Sequence, residues 1–301
     1  MRHFLSMASV SSSELCQIID DTARFKTGRN TAATLPLQGQ SWALIFLKSS
    51  TRTRVSFEVG VRELGGSPMF FSGNDLQLGR GEPIKDTARV LGRMVQGAII
   101  RTFNQSDIVE FAEYSQVPTV NALTDEEHPC QIVADLACIR EKLGGYLDKH
   151  IVFIGDGACN VPRSWIVASA LLGFRLTIAA PKAFQPDPAF LQSVNAAKVE
   201  LTEDLPQAVR DADVLYTDVW VSMGKEAESA ARLDALKDYQ INASLLEKAP
   251  NHTLVMHCLP AYRGKEITED VMEAHAQTIF DEAEFRLHAQ KSILNFLVTQ
   301  Q

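Results

Sequence analysis

Short apolar runs alternate with amphipathic stretches along almost the whole chain, and no other feature limits its fold as strongly. In the first half, the runs at 42–47, 68–71, 97–101 and 118–121 have the length and composition of strands. Helical spacing appears at 13–26, 52–65, 84–95 and 105–115. The third of these starts at Pro83 and carries Ile84, Ala88, Leu91 and Val95 on one face. A helix over 130–143, with Ile132, Leu136, Ile139 and Leu143 in phase, ends at Gly144-Gly145, which marks the expected domain boundary. A second series follows: strands at 151–154, 175–179, 214–217, 254–257 and 278–280, helices at 161–172 and 187–196, and a last helix over 283–299. With 301 residues and 46% hydrophobic content, the chain is long enough for two cores. The alternation therefore predicts an α/β protein of two doubly wound lobes, 1–145 and 146–282, each a parallel sheet flanked by helices. Ligands are expected in a cleft between the lobes, at the C-terminal ends of the strands.

Several function classes are excluded early. No apolar run reaches the roughly 18 residues of a membrane span, so no membrane partner is expected. The N-terminus lacks a secretory apolar core and soon meets a capping box, Ser11 with Glu14, which points to the cytoplasm. The five cysteines, at 16, 130, 138, 159 and 258, never form Cys-x-x-Cys, so neither a disulfide framework nor a zinc cluster is expected. A net charge of −8 with no basic run argues against nucleic acid. An acidic chain that binds an anion must gather its arginines locally.

Such a gathering occurs at 48–54, Lys-Ser-Ser-Thr-Arg-Thr-Arg, between a strand and a helix that opens near Arg52. A helix N-terminus aims backbone N–H groups and a positive dipole end at one point, and Ser50, Thr51, Thr53, Arg52 and Arg54 add donors. The pattern suggests phosphate held without a metal, the alternative being a plain helix cap with solvent-facing arginines. It is not a P-loop, since no Gly-x-x-x-x-Gly-Lys-Ser/Thr occurs.

Further candidates fall at strand ends. Arg101 closes 97–101 and is either a ligand clamp or an ion-pair partner. His128 and Gln131 flank a helix start and can present an imidazole and an amide to a carbamoyl-like group, while Asp125, Glu126 and Glu127 read as a solvated face. Gly155-Asp156-Gly157 resembles half a dinucleotide fingerprint. Asn160 stands where the third glycine belongs, so no nicotinamide cofactor is expected. Asn160 suits an amino-acid substrate's polar groups or an ordinary N-cap. Asp218 with Ser222 can grip an ammonium group, or serve a capped turn. Cys258 beside His257 makes a poor nucleophilic dyad, because neighbours on an extended chain face opposite ways.

Taken together, Ser-Thr-Arg-Thr-Arg (50–54), Gly-Arg-Gly-Glu-Pro with Asp-Thr-Ala-Arg-Val-Leu (79–91), His-Pro-x-Gln (128–131), Asp-x-x-x-Ser-Met-Gly (218–224), His-Cys-Leu-Pro (257–260) and the run 283–288 resemble the aspartate/ornithine carbamoyltransferase family, in its ornithine branch. The resemblance implies a carbamoyl phosphate site at Ser50, Thr51, Arg52, Thr53, Arg101, His128 and Gln131, with Cys258, Leu259 and Arg286 closing over it. It implies ornithine at Asn160, Asp218, Ser222 and Met223, with Arg52, Arg101, His128, Asp218 and Cys258 as the catalytic set. It further implies two interdomain helices, the last packing back on the first lobe, and no metal or cofactor. A homotrimer or assembly of trimers is implied too, with a neighbour's loop around 77–82 helping the site. The Ser-Met-Gly loop would act as a lid. Leu47, Ala158-Cys159, Pro162-Arg163 and Phe285 depart from the family's usual residues.

Overall fold

The computed structural model describes residues 1–29, 35–75, 81–195, 198–221 and 229–300. They form two compact units, Met1–Ala137 with Glu284–Gln301, and Cys138–Ala283.

The first unit contains α1 (Ser12–Thr27), β1 (Ser41–Phe46), α2 (Thr51–Glu63), β2 (Ser67–Ser72), α3 (Ile84–Leu91), β3 (Gly97–Arg101), α4 (Gln105–Ser115), β4 (Thr119–Leu123) and the start of α5 (Pro129–Leu143). The capping box forms as expected: Ser11 Oγ accepts from the Glu14 N–H at 3.3 Å, and Glu14 accepts from the Ser11 N–H at 2.8 Å. The sheet is parallel in the order β2-β1-β3-β4. Ala43, Ile45, Ile100 and Phe111 are among its buried contacts with the helices. The chain leaves β1 to one side for β2 and returns on the other side for β3. The connections after β1 and β3 therefore diverge, which opens a crevice at their C-terminal ends.

The second unit holds β5 (His150–Ile154), α6 (Asn160–Leu172), β6 (Arg175–Ala179), α7 (Pro188–Ser193), β7 (Val199–Thr202), α8 (Leu205–Ala208), β8 (Val214–Thr217), α9 (Ser229–Leu236), α10 (Ala243–Leu246), β9 (Leu254–His257), α11 (Glu269–Ala274) and the first part of α12 (Ala276–Thr299). Its parallel sheet runs β7-β6-β5-β8-β9, so the switch lies between β5 and β8. The strand expected at 278–280 is instead helix, the opening turn of α12. Three apolar-leaning residues are too few to fix a period. Here Ile279 is buried in the second core while its neighbour Phe280 is 55% exposed, and no breaker separates them from the helix ahead. The unpredicted β7 is a four-residue edge strand without fully buried residues, which left its pattern weak.

Candidate active site

At the first switch point, β1 ends at Phe46 and the Leu47 N–H donates to the Arg101 carbonyl at 2.8 Å, so the turn after β1 and the end of β3 lie side by side. Ser50 is the N-cap of α2, with its Oγ accepting from the Thr53 N–H at 3.3 Å and donating to Thr53 Oγ1 at 3.0 Å. The capping reading was therefore correct for Ser50, and it leaves the rest of the turn available to an anion. Thr51 is exposed, and Arg52 carries a buried Nε with no hydrogen-bond partner among the described residues. Arg54 turns away, paired with Glu58 at 2.7 Å and stacked 3.5 Å over the Phe70 ring, so it is not part of the anion set.

A linked group of Arg286, Arg101 and His128 meets this turn through Arg286. Arg286, on the part of α12 that belongs to the first unit, donates to Thr53 Oγ1. Arg286 and Arg101 act on His128, which, like them, is almost fully buried. Burial first, then the charges of Arg286 and Arg101, push the His128 pKa well below its ordinary value. The imidazole is neutral at physiological pH and offers one N–H donor and one acceptor. The Gln131 amide nitrogen donates to Asp135 at 2.8 Å, which fixes the amide's orientation. Cys130 is inert: its Sγ donates to the Asn121 carbonyl at 3.3 Å, and burial lifts its pKa to about 12. The acidic triplet is more than a solvated face. Asp125 pairs with the buried Lys48, and Glu127 accepts from the Met7 N–H at 3.0 Å.

At the second switch point, Gly155 takes φ +125° and Gly157 packs so tightly that a Cβ would lie 2.4 Å from Ile178 Cγ2. This turn delivers Cys159, which occupies the N-cap position of α6 without a side-chain cap bond, so Asn160 is the first helical residue and not the cap. After β8, Asp218 accepts from the Val219 N–H at 2.7 Å and from Cys258 Sγ at 2.9 Å. Burial raises the Asp218 pKa, although His257 and these hydrogen bonds act against the rise.

The turn after β9 explains why Cys258 and His257 form no dyad. His257 Nδ1 lies 2.9 Å from the Leu259 N–H and Nε2 lies 3.1 Å from the Glu266 carboxylate, so both ring nitrogens are engaged away from Cys258. The His257 N–H donates to Glu282 at 2.9 Å, and the Tyr216 hydroxyl donates to the same carboxylate at 3.2 Å. Among the described residues, Asp218, His257 and Cys258 bring ligating atoms within 4.8 Å of one another. A metal there would have to displace a bond that already holds His257. Sequence reasoning missed the Asp156–Arg232 pair, in which buried Arg232 also donates to the Trp220 carbonyl at 2.8 Å, tying the β5 turn to the β8 turn. Its only signal was an Asp between two glycines after a strand.

Ser222 and Met223 lie outside the described residues, as does most of 77–82. Phe285 is fully buried with Lys26 Nζ 4.2 Å over its ring, so this departure belongs to the core of the first unit. Arg163 stacks 3.9 Å over Phe190.

Residues 2–141 match the carbamoyl-phosphate-binding domain of the aspartate/ornithine carbamoyltransferases, and residues 147–297 match the Asp/Orn-binding domain. The chain belongs to the aspartate/ornithine carbamoyltransferase family. Within this carbamoyltransferase family, the ornithine carbamoyltransferase of Akkermansia muciniphila is 54% identical over 98% of this chain and 97% of its own. That of Archaeoglobus fulgidus is 48% identical over 98% and 96%. Among solved structures, the anabolic ornithine carbamoyltransferase of Campylobacter jejuni aligns with a TM-score of 0.93 at 39% identity over 100% of both chains. The Pyrococcus furiosus enzyme aligns at 0.92 and 40% identity, covering 99% and 97%.

Proposed function

We propose that this carbamoyltransferase-family chain transfers the carbamoyl group of carbamoyl phosphate to the δ-amine of L-ornithine, giving L-citrulline and phosphate. The supporting observation is a division of chemistry between two switch points. The first carries a helix N-terminus, two buried arginines and a neutral imidazole, which suits a phosphate and a carbonyl oxygen. The second carries a half-buried carboxylate bonded to a thiol, with Asn160 at a helix start, which suits an amino acid. In the reaction, the neutral δ-nitrogen bonds to the carbonyl carbon as the carbon–oxygen bond to phosphate breaks. The amine then loses a proton, for which the departing phosphate is the acceptor. Arg52, Arg101 and Arg286 would take up charge on the leaving phosphate, and His128 with Thr53 would bond the carbonyl oxygen. Asp218 would orient the amine-bearing substrate, and Cys258 would hold Asp218. No metal or cofactor has a step in this scheme.

The reading extends to a homotrimer or assembly of trimers, as the family resemblance implies, and to arginine biosynthesis in the cytoplasm. All five cysteines are free thiols, which supports a reducing compartment. Sedimentation tests the assembly. The activity is tested with ornithine, acetylornithine, putrescine and aspartate, each with carbamoyl phosphate, scoring phosphate release. Ornithine should dominate; preference for another amine overturns the substrate assignment.

A further inference from the structure

Three tethers converge on the four residues that precede His128. The Asp125 N–H donates to the Phe103 carbonyl just beyond β3 at 2.8 Å, and its carboxylate pairs with Lys48, two residues before the N-cap of α2. Thr124 Oγ1 donates to Gln105 Oε1 at 2.8 Å and accepts from the Glu126 and Glu127 N–H groups at 3.3 and 3.1 Å. Glu127 Oε2 accepts from the Met7 N–H, while its carbonyl closes the turn by accepting from the Thr124 N–H at 2.9 Å.

The segment that supplies Met7 is itself anchored. The Phe4 N–H donates to the Thr119 carbonyl at 2.9 Å and the Phe4 carbonyl accepts from the Asn121 N–H at 2.8 Å, extending the sheet beside β4. The Leu5 carbonyl accepts from Gln105 Nε2 at 2.8 Å and Asn121 Nδ2 at 2.9 Å, and both Phe4 and Met7 are fully buried. On the far side of His128, Pro129 restricts the backbone and α5 begins. The imidazole is therefore approached by fixed backbone from both directions. A neutral donor needs such fixing, because its bond to a developing oxyanion is strong only over a few tenths of an ångström.

We propose that Glu127 and Thr124 are positioning residues for His128: through the N-terminal segment 4–7 and Gln105 they set where the imidazole stands relative to the phosphate turn at 50–53. The inference rests on the carbamoyl-transfer reading, and its test separates the two. Glu127→Ala removes the acceptor for Met7, Thr124→Val removes the hydroxyl at nearly constant volume, and Glu127→Gln keeps an acceptor oxygen. Each variant is assayed for kcat and for the KM of both substrates, for melting temperature, and for the titration of the His128 ring by NMR. Glu127→Ala and Thr124→Val should lower kcat roughly ten- to a hundred-fold, leave the ornithine KM unchanged and move the His128 titration, and Glu127→Gln should restore both. A fall in melting temperature with wild-type kcat and wild-type His128 titration would overturn the proposal. If the wild-type chain transfers no carbamoyl group yet its His128 titration moves with Glu127→Ala, the positioning stands and the activity assignment falls.

Discussion

Arg52 enters the first turn of α2 with its Nε buried and, among the described residues, without a hydrogen-bond partner, an arrangement that costs stability unless a ligand completes it. A phosphate oxygen is the natural complement of a guanidinium fork at a helix start. Arg52→Ala should therefore leave the far-ultraviolet spectrum unchanged and cut turnover by roughly a hundred- to a thousand-fold. Near-normal citrulline formation would remove Arg52 from the phosphate set. Asp218 obeys the opposite electrostatic logic. Burial raises its pKa, so it takes up a proton at a higher pH than an exposed aspartate does. Ornithine affinity, measured by calorimetry, should weaken as pH falls through that raised value, because the neutral acid no longer pairs with an ammonium. Asp218→Asn should bind weakly with that pH dependence gone.

In each unit the candidate site residues stand on the turn after a strand at a switch point, and the turn's stiffness decides where their donors point. In the second unit this falls to the Gly155–Gly157 turn. A methyl group at Gly157 would strike Ile178 Cγ2 at 2.4 Å and the Phe184 carbonyl oxygen at 3.0 Å. Gly157→Ala should cost about 1–3 kcal/mol of stability in urea unfolding. It should also raise the ornithine KM more than that of carbamoyl phosphate, since the displaced turn carries Asn160. Wild-type stability and KM would show that the turn relaxes freely. Legibility at this scale mostly followed burial, although β2 was found from its apolar run without a fully buried residue. β1, β3, β4 and β5 are almost wholly buried and were plain from their apolar runs. The edge strand β7 and the start of α12 were not. Their residues divide between core and solvent, and so few of them do not separate a period of 2 from one of 3.6.

Across the whole molecule, His3, His128, His150, His275 and His288 all have pKa values lowered by burial. The unfolded chain binds protons at these residues near the ordinary histidine value of about 6.5, while the folded chain resists them. Their contribution to stability is therefore complete above that pH and is lost as pH falls below it. Urea midpoints should hold steady above neutrality and drop steeply through the range below about 6.5. A flat profile there would mean these rings are solvated. By itself the sequence determined the α/β class, two units and the strand-end residues, because apolar periodicity and local motifs are properties of neighbours along the chain. The stretch at 48–54 was legible as an anion site or a cap, and Ser50 turned out to serve as the cap. Only the tertiary structure decided that Arg54 leaves the site, that Phe285 belongs to the core, and that Thr124, Asp125 and Glu127 bind Gln105, Lys48 and Met7. Arg54 meets Glu58 only four residues on, along one helix, but the other facts depend on partners tens to more than a hundred residues away, and no local pattern encodes which of several acids will meet a distant lysine or backbone N–H.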